Sequence, residues 1–178
     1  MTELAKEYGA GMYALAAEEK IEKDVLEEMG TLRRCFKEQP EFVRLLSNMS
    51  LAKEERLGIL DNALRGQVNP YVLNFLKILC ERGALMEFAG CEEAYRELYN
   101  KDHGVVEAHV TTGESMSDDQ RARLIEKLRQ MTGKEIVLLE KVDPKVIGGV
   151  LLEMNGQRYD NTLKNRLKSI HSAMVQGA

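Results

Sequence analysis

The sequence predicts an α+β fold overall: an N-terminal all-α bundle of about six helices in residues 1–104, then a small α+β domain in residues 105–178. Two observations carry this. Apolar residues recur at helical spacing up to about Asn100, and alternation at period two first appears at Val105, so the boundary falls at Lys101 to Gly104. In the second part, turn signals (Asp143-Pro144, Gly148-Gly149, Asn155-Gly156) separate short β-rich runs.

The run LAKEYGAGMYALAAE makes the first helix. On a wheel of about 100° per residue, Leu4, Tyr8, Met12 and Leu15 fall within roughly 80° and read as its core face. Ala10, Tyr13, Ala14 and Ala17 form a second arc nearly opposite, where small side chains would let another helix approach closely. Ile21, Val25, Met29, Leu32 and Phe36 give the second helix one apolar face. Its acidic run from Glu18 to Glu28 reads as a solvated surface. Pro40 starts a short helix carrying Phe42, Leu45 and Leu46, and a fourth, with Leu57, Leu60 and Leu64, ends at Gly66. Asn69-Pro70 opens the fifth and Gly83 closes it. Tyr71, Val72, Leu73, Phe75, Leu76, Ile78, Leu79 and Cys80 leave only Asn74, Lys77 and Glu81 polar, an apolar arc wider than a surface helix needs. Either this helix is central to the bundle or part of it meets a partner. A sixth helix runs from about Leu85 to Asn100.

In the second part, Val106, Ala108 and Val110 alternate with Glu107, His109 and Thr111 in a strand with one buried face. Ser117 and Gln120 form a capping box, Leu124, Leu128 and Met131 line the helix that follows, and Gly133 stops it. Ile136 to Val142 is a second strand. Gly148-Gly149, whose place calls for positive φ or a close backbone approach, leads into a third strand from Val150 to Met154. After the Asn155-Gly156 turn comes a capped terminal helix. The order is strand, helix, strand, strand, helix.

Charged residues make up 30% of the 178 residues and the formal net charge is −4, which gives no electrostatic footprint for nucleic acid or an anionic membrane. No segment has the roughly 18 apolar residues that span a bilayer. Glu3, Glu7, Glu18 and Glu19 argue against an uncleaved transit peptide. Cys35, Cys80 and Cys91 lack metal-ligand spacing and read as small buried hydrophobes in a reducing compartment. His103, His109 and His171 supply no metal pair and no acid/base constellation. The glycine pair lacks the spacing of a phosphate loop, so no catalytic residue, cofactor or metal is expected.

The segment VDPKVIGGVLLEMNGQRYDNTLKNRL, Val142 to Leu167, resembles the C-terminal signature of the ATP synthase delta subunit family, called the oligomycin-sensitivity-conferring protein in mitochondria. Its Asp143, Pro144, Ile147, Gly148, Gly149, Asp160 and Arg166 are the matching motif positions. LAKEYGAGMYALAAE and LNFLKILCERGALMEF resemble the family's first helix and its fifth to sixth helices, so the resemblance covers nearly the whole chain. Asn161 stands where glycine is more usual and Thr162 where serine is; both keep turn or capping chemistry.

The resemblance implies a non-catalytic stator subunit of a proton- or sodium-translocating rotary ATP synthase, peripheral on the cytoplasmic face of a bacterial plasma membrane. It implies that residues 1–104 bind the catalytic alpha/beta head and residues 105–178 the b-subunit stalk, the chain being monomeric within the complex. It further implies a groove between the first and fifth helices for the N-terminal helix of an alpha subunit, in this chain lined by Ala10, Tyr13, Ala14, Ala17, Leu73, Leu76 and Cys80. The alternative is a generic helix-in-groove adaptor with a different cognate peptide.

Overall fold

A computed structural model describes residues 1–154, 156–163 and 165. It divides into two compact units, one of Met1–Tyr99 and one beginning at Asn100. Among the described residues there are seven α-helices and a four-stranded sheet.

In the first unit, α1 (Glu3–Glu19) is opened by the Thr2 hydroxyl, which accepts from the Ala5 N–H at 3.2 Å, and ends at Lys20 in the left-handed conformation, φ 60°. α2 spans Glu22–Glu38, and Pro40 begins α3 (Pro40–Ser47), a position where its missing N–H costs nothing. α4 is Lys53–Leu64. Asn69 caps α5 (Pro70–Glu81) by accepting from the Tyr71 N–H at 2.9 Å. A 3₁₀ turn, Leu85–Glu87, leads into α6 (Phe88–Asp102). Within α3, Val43 and Leu46 are buried while Leu45, expected inside, is exposed.

The core of this unit gathers Met12, Val25, Met29, Leu46, Leu60, Leu76, Leu79, Phe88 and Tyr95. Small residues decide which helices approach most closely. A Cβ built on Gly9 of α1 would lie 2.5 Å from the Cys91 carbonyl oxygen and 2.7 Å from the Ala94 Cβ, both on α6; one on Gly90 would lie 2.9 Å from the Ala5 Cβ. Two charged groups are buried with partners. Arg56, 3% exposed, donates to the Leu46 and Cys80 carbonyls at 3.2 and 2.5 Å, so the negative ends of α3 and α5 stand in for a carboxylate. Glu92, 2% exposed, is shared by Arg33 and by Arg96 at 2.8 Å. Cys80 and Cys91 are buried and burial raises both thiol pKa values, that of Cys91 to about 11; Cys35, expected to be buried, is exposed.

In the second unit, β1 (Val105–Thr112) pairs in parallel with β2 (Glu135–Val142), the crossover being α7 (Asp118–Thr132). β3 (Val150–Met154) runs antiparallel to β1, and β4 (Gln157–Asp160) antiparallel to β3, giving the order β2-β1-β3-β4. The capping box of Ser117 and Gln120 is formed. Val106, Ala108, Leu128, Ile136 and Met154 make a small core with Leu124 and Ile125 against it. Met131 is 66% exposed, contrary to expectation, because the core under α7 ends at Leu128. β4 is the strand that the sequence pattern misses: QRYD is short, polar and exposed along its length. Asn155, His171, Arg166 and the part of the expected terminal helix beyond Asn165 lie outside the described residues.

Candidate functional site

An apolar cleft with a volume of about 470 Å³ opens between α1 and α5 on the helical unit. Tyr8, Gly11, Met12 and Leu15 line it from α1; Tyr71, Asn74, Phe75 and Ile78 line it from α5. Leu4, Leu15, Tyr71 and Ile78 keep 36–41% of their surfaces exposed, more than isolated core residues would. Gly11 faces open space: a Cβ there meets nothing within 4 Å. The cleft is therefore floored by Met12 and Phe75, which are buried, and walled by larger side chains standing clear of the core.

Its rim is acidic. Glu7 lines it directly, and Glu19 and then Glu18 act on Tyr71; the Glu19 charge is the chief reason that the phenol pKa is raised, with desolvation second. Glu18 and Glu19 occupy the last turn of α1, the negative end of its dipole, with no basic residue in that turn and Lys20 as the C-cap. That placement is locally unfavourable by roughly 0.3–1 kcal/mol per charge.

The residues expected to line the groove are placed differently. Tyr13, Leu73, Leu76 and Cys80 are buried in the core, at 8, 8, 0 and 0% exposure, so none offers a surface to a partner. Tyr13 packs edge-on against Tyr95 with ring centres 5.3 Å apart. Ala10 and Ala14 are exposed and Ala17 is half-buried, and none of the three lines the cleft. The expected division of α1 into two faces is therefore not the observed one: Met12 and Tyr13, one from each expected face, are both buried. Tyr8 and Leu15, expected in the core, line the cleft and Leu4 is 39% exposed, while Ala5, Gly9, Met12, Tyr13 and Ala16 are buried. The physical reason is that α6 approaches along the smallest side chains of α1, and bulk at positions 4, 8 and 15 would hold it away. Gly11 was the available signal: an interior helical glycine with no packing neighbour weakens the helix unless space is needed there.

The motif in the second unit is built as a turn followed by a glycine crossing. The Asp143 N–H donates to the Thr112 carbonyl at 2.8 Å, the Val146 N–H to the Asp143 carbonyl at 2.9 Å, and the Lys145 N–H to the Asp143 carboxylate at 3.0 Å. With Pro144 second, this is a β-turn reinforced by its first side chain. Gly148 and Gly149 take φ +63° and +83°. A Cβ on Gly149 would lie 2.3 Å from the Asn161 carbonyl oxygen, and one on Gly148 2.7 Å from the Leu163 side chain. Asp160 accepts from the Thr162 N–H at 3.1 Å, and the Thr162 hydroxyl accepts from the Asn165 N–H at 3.3 Å. Ile147 is 72% exposed. Among the described residues no group of three or more His, Cys, Asp or Glu side chains could hold a metal ion, and no helix is long and apolar enough to cross a membrane.

A sequence profile of the ATP synthase delta (OSCP) subunit matches residues 4–174. The chain belongs to the ATP synthase delta (OSCP) family. It is 32% identical over 175 residues to the ATP synthase subunit delta of Alkaliphilus oremlandii, covering 98% of this chain and 97% of that one. It is 28% identical over 174 residues to the ATP synthase subunit delta of Clostridium kluyveri, covering 98% and 96%. Its fold is shared with a chain of the Toxoplasma gondii mitochondrial ATP synthase hexamer at a TM-score of 0.77, with 18% identity and 98% of both chains covered.

Proposed function

We propose that this delta-family chain is a non-catalytic stator subunit of a rotary ATP synthase, joining the catalytic head to the peripheral stalk on the cytoplasmic face of a bacterial membrane. The helical unit grips the N-terminal helix of one alpha subunit in the α1–α5 cleft, and the second unit meets the b-subunit. The open, apolar, helix-walled cleft is the observation that carries this reading. A connector that resists rotor torque needs a contact closed by apolar burial, because exposed ion pairs contribute about 1 kcal/mol or less each.

The occupant is an amphipathic helix whose apolar face meets Tyr8, Leu15, Phe75 and Ile78 and whose flank carries lysine or arginine opposite Glu7, Glu18 and Glu19. The acidic pair at the negative end of α1 breaks a local rule where a basic partner would restore it. The test is capture from a lysate of the source organism by tagged chain. Recovery of catalytic alpha and beta subunits together is expected; recovery of an unrelated protein through the same cleft would make this an adaptor instead.

A further inference from the structure

We propose that a second cleft in the helical unit, formed by α2, α3 and the 3₁₀ turn into α6, is a binding site for a small amphipathic anion: one carboxylate on an apolar body the size of a medium-chain acyl group. This cleft has a volume of about 450 Å³, within the usual range for a small-molecule site. Its lining shares no residue with the α1–α5 cleft. Val43, Leu85 and Phe88 form the floor and are at most 7% exposed, while Phe36 stands edge-on to Phe88 at 5.2 Å between ring centres. The floor is thus part of the core and rigid, as a preformed site requires.

The rim decides the ligand. Arg33, Lys37 and Arg44 all line this cleft, which has no acidic lining residue, in a chain whose formal net charge is −4. Arg33 reaches the buried Glu92 carboxylate, which Arg96 also holds. Among the described residues Arg44 is paired only with Glu41, both well exposed, a contact that a ligand carboxylate can replace at little cost. Lys37 is exposed and, among the described residues, holds no ion pair. The α1–α5 cleft, of nearly equal volume, carries Glu7 and the field of Glu18 and Glu19. Two apolar clefts of one unit are therefore sorted by charge, one for cationic and one for anionic apolar groups. Apolar burial supplies most of the affinity at either, and the rim selects the head group.

The test uses the full chain labelled with nitrogen-15 and matched amphiphiles, sodium decanoate and decyltrimethylammonium, which differ in head-group charge. Decanoate should give saturable shifts at the amides of Phe36, Lys37, Val43, Leu85 and Met86, and decyltrimethylammonium none there at equal concentration. The double variant Lys37→Glu, Arg44→Glu changes only exposed side chains, so it should keep the wild-type spectrum elsewhere and bind decanoate at least tenfold more weakly. Ala89→Trp, at the mouth, should block it whatever the charge. Equal binding of both amphiphiles at this cleft, decanoate shifts confined to Tyr8, Leu15 and Ile78, or a double variant of unchanged affinity would each overturn the proposal. So would failure of decanoate to bind where an acidic amphipathic peptide does, or a self-association that covers the cleft.

Discussion

Gly149 sits at φ +83° with the Asn161 carbonyl oxygen 2.3 Å from where a Cβ would be, so both its backbone conformation and its surroundings exclude other residues. Gly149→Val should therefore destabilise the second unit by at least ~2 kcal/mol while the helical unit melts as before, read by urea denaturation followed with probes in each unit. A second unit of wild-type stability would show that the crossing can shift freely. The sequence pattern pointed to this glycine pair because it interrupts a β-rich run; it did not point to Gly113, whose Cβ would lie 2.2 Å from the Val146 carbonyl, since contacts remote in sequence leave no local trace. A titration tests the same unit. Glu140 accepts from the Met116 N–H at 2.7 Å and from Arg121 at 2.8 Å, and these, the backbone bond first, hold its pKa below the usual carboxylate value. A depressed folded-state pKa gives stability that is fully present above the unfolded value, about 4.3, and is lost as pH falls through the folded one. Thermal melts from neutral pH to about pH 3 should show the second unit weakening below about pH 5 in wild type, with a shallower acid limb in Glu140→Gln. Parallel limbs would remove Glu140 from the acid response.

At the scale of one helix, α1 shows what periodicity can and cannot supply. Spacing located the helix and the presence of two apolar faces, but ranking faces by side-chain bulk put Leu4, Tyr8 and Leu15 inside. Bulk is a poor guide where two helices must meet closely, since Ala5 and Gly9 gain burial by letting α6 approach while the larger side chains are left at the edge. α5 had the same ambiguity: its apolar arc serves both the core, through Val72, Leu76 and Leu79, and the cleft, through Tyr71 and Ile78. The caps of α1, α5 and α7 and the Pro40 start were legible because each is a local bond or a local constraint. β4 was not, since only its pairing with β3 makes it a strand. Arg56 gives a further prediction at this scale. Replacing it by methionine strands two helix-end carbonyls in the core, so Arg56→Met should lower the stability of the helical unit by about 1–3 kcal/mol in chemical denaturation. No loss would mean that the guanidinium's desolvation cancels its two bonds.

For the whole molecule, the division into compact units falls at Tyr99 and Asn100, inside the last turn of α6. Asn100 donates its side-chain amide to Glu107 at 3.0 Å, so that turn goes with β1. We propose that residues 1–102 fold alone; helical circular dichroism with a cooperative melt is expected of that fragment, and a non-cooperative one would make the units interdependent. The second unit, with its smaller core, should be the less stable when separated. The stator reading itself stands on the α1–α5 cleft. Its most direct measurement is a calorimetric titration of the intact chain, the Gly11→Trp variant and the Ala10→Trp variant with a peptide of the first twenty or so residues of the cognate alpha subunit. A ring at Gly11 enters the open cleft, whereas Ala10 is exposed, lines no part of the cleft and lies well round α1 from it. The expected result is a loss of at least ~2 kcal/mol, roughly thirtyfold in Kd, for Gly11→Trp and unchanged affinity for Ala10→Trp. Loss with Ala10→Trp and not with Gly11→Trp, or no binding by wild type, would contradict the account.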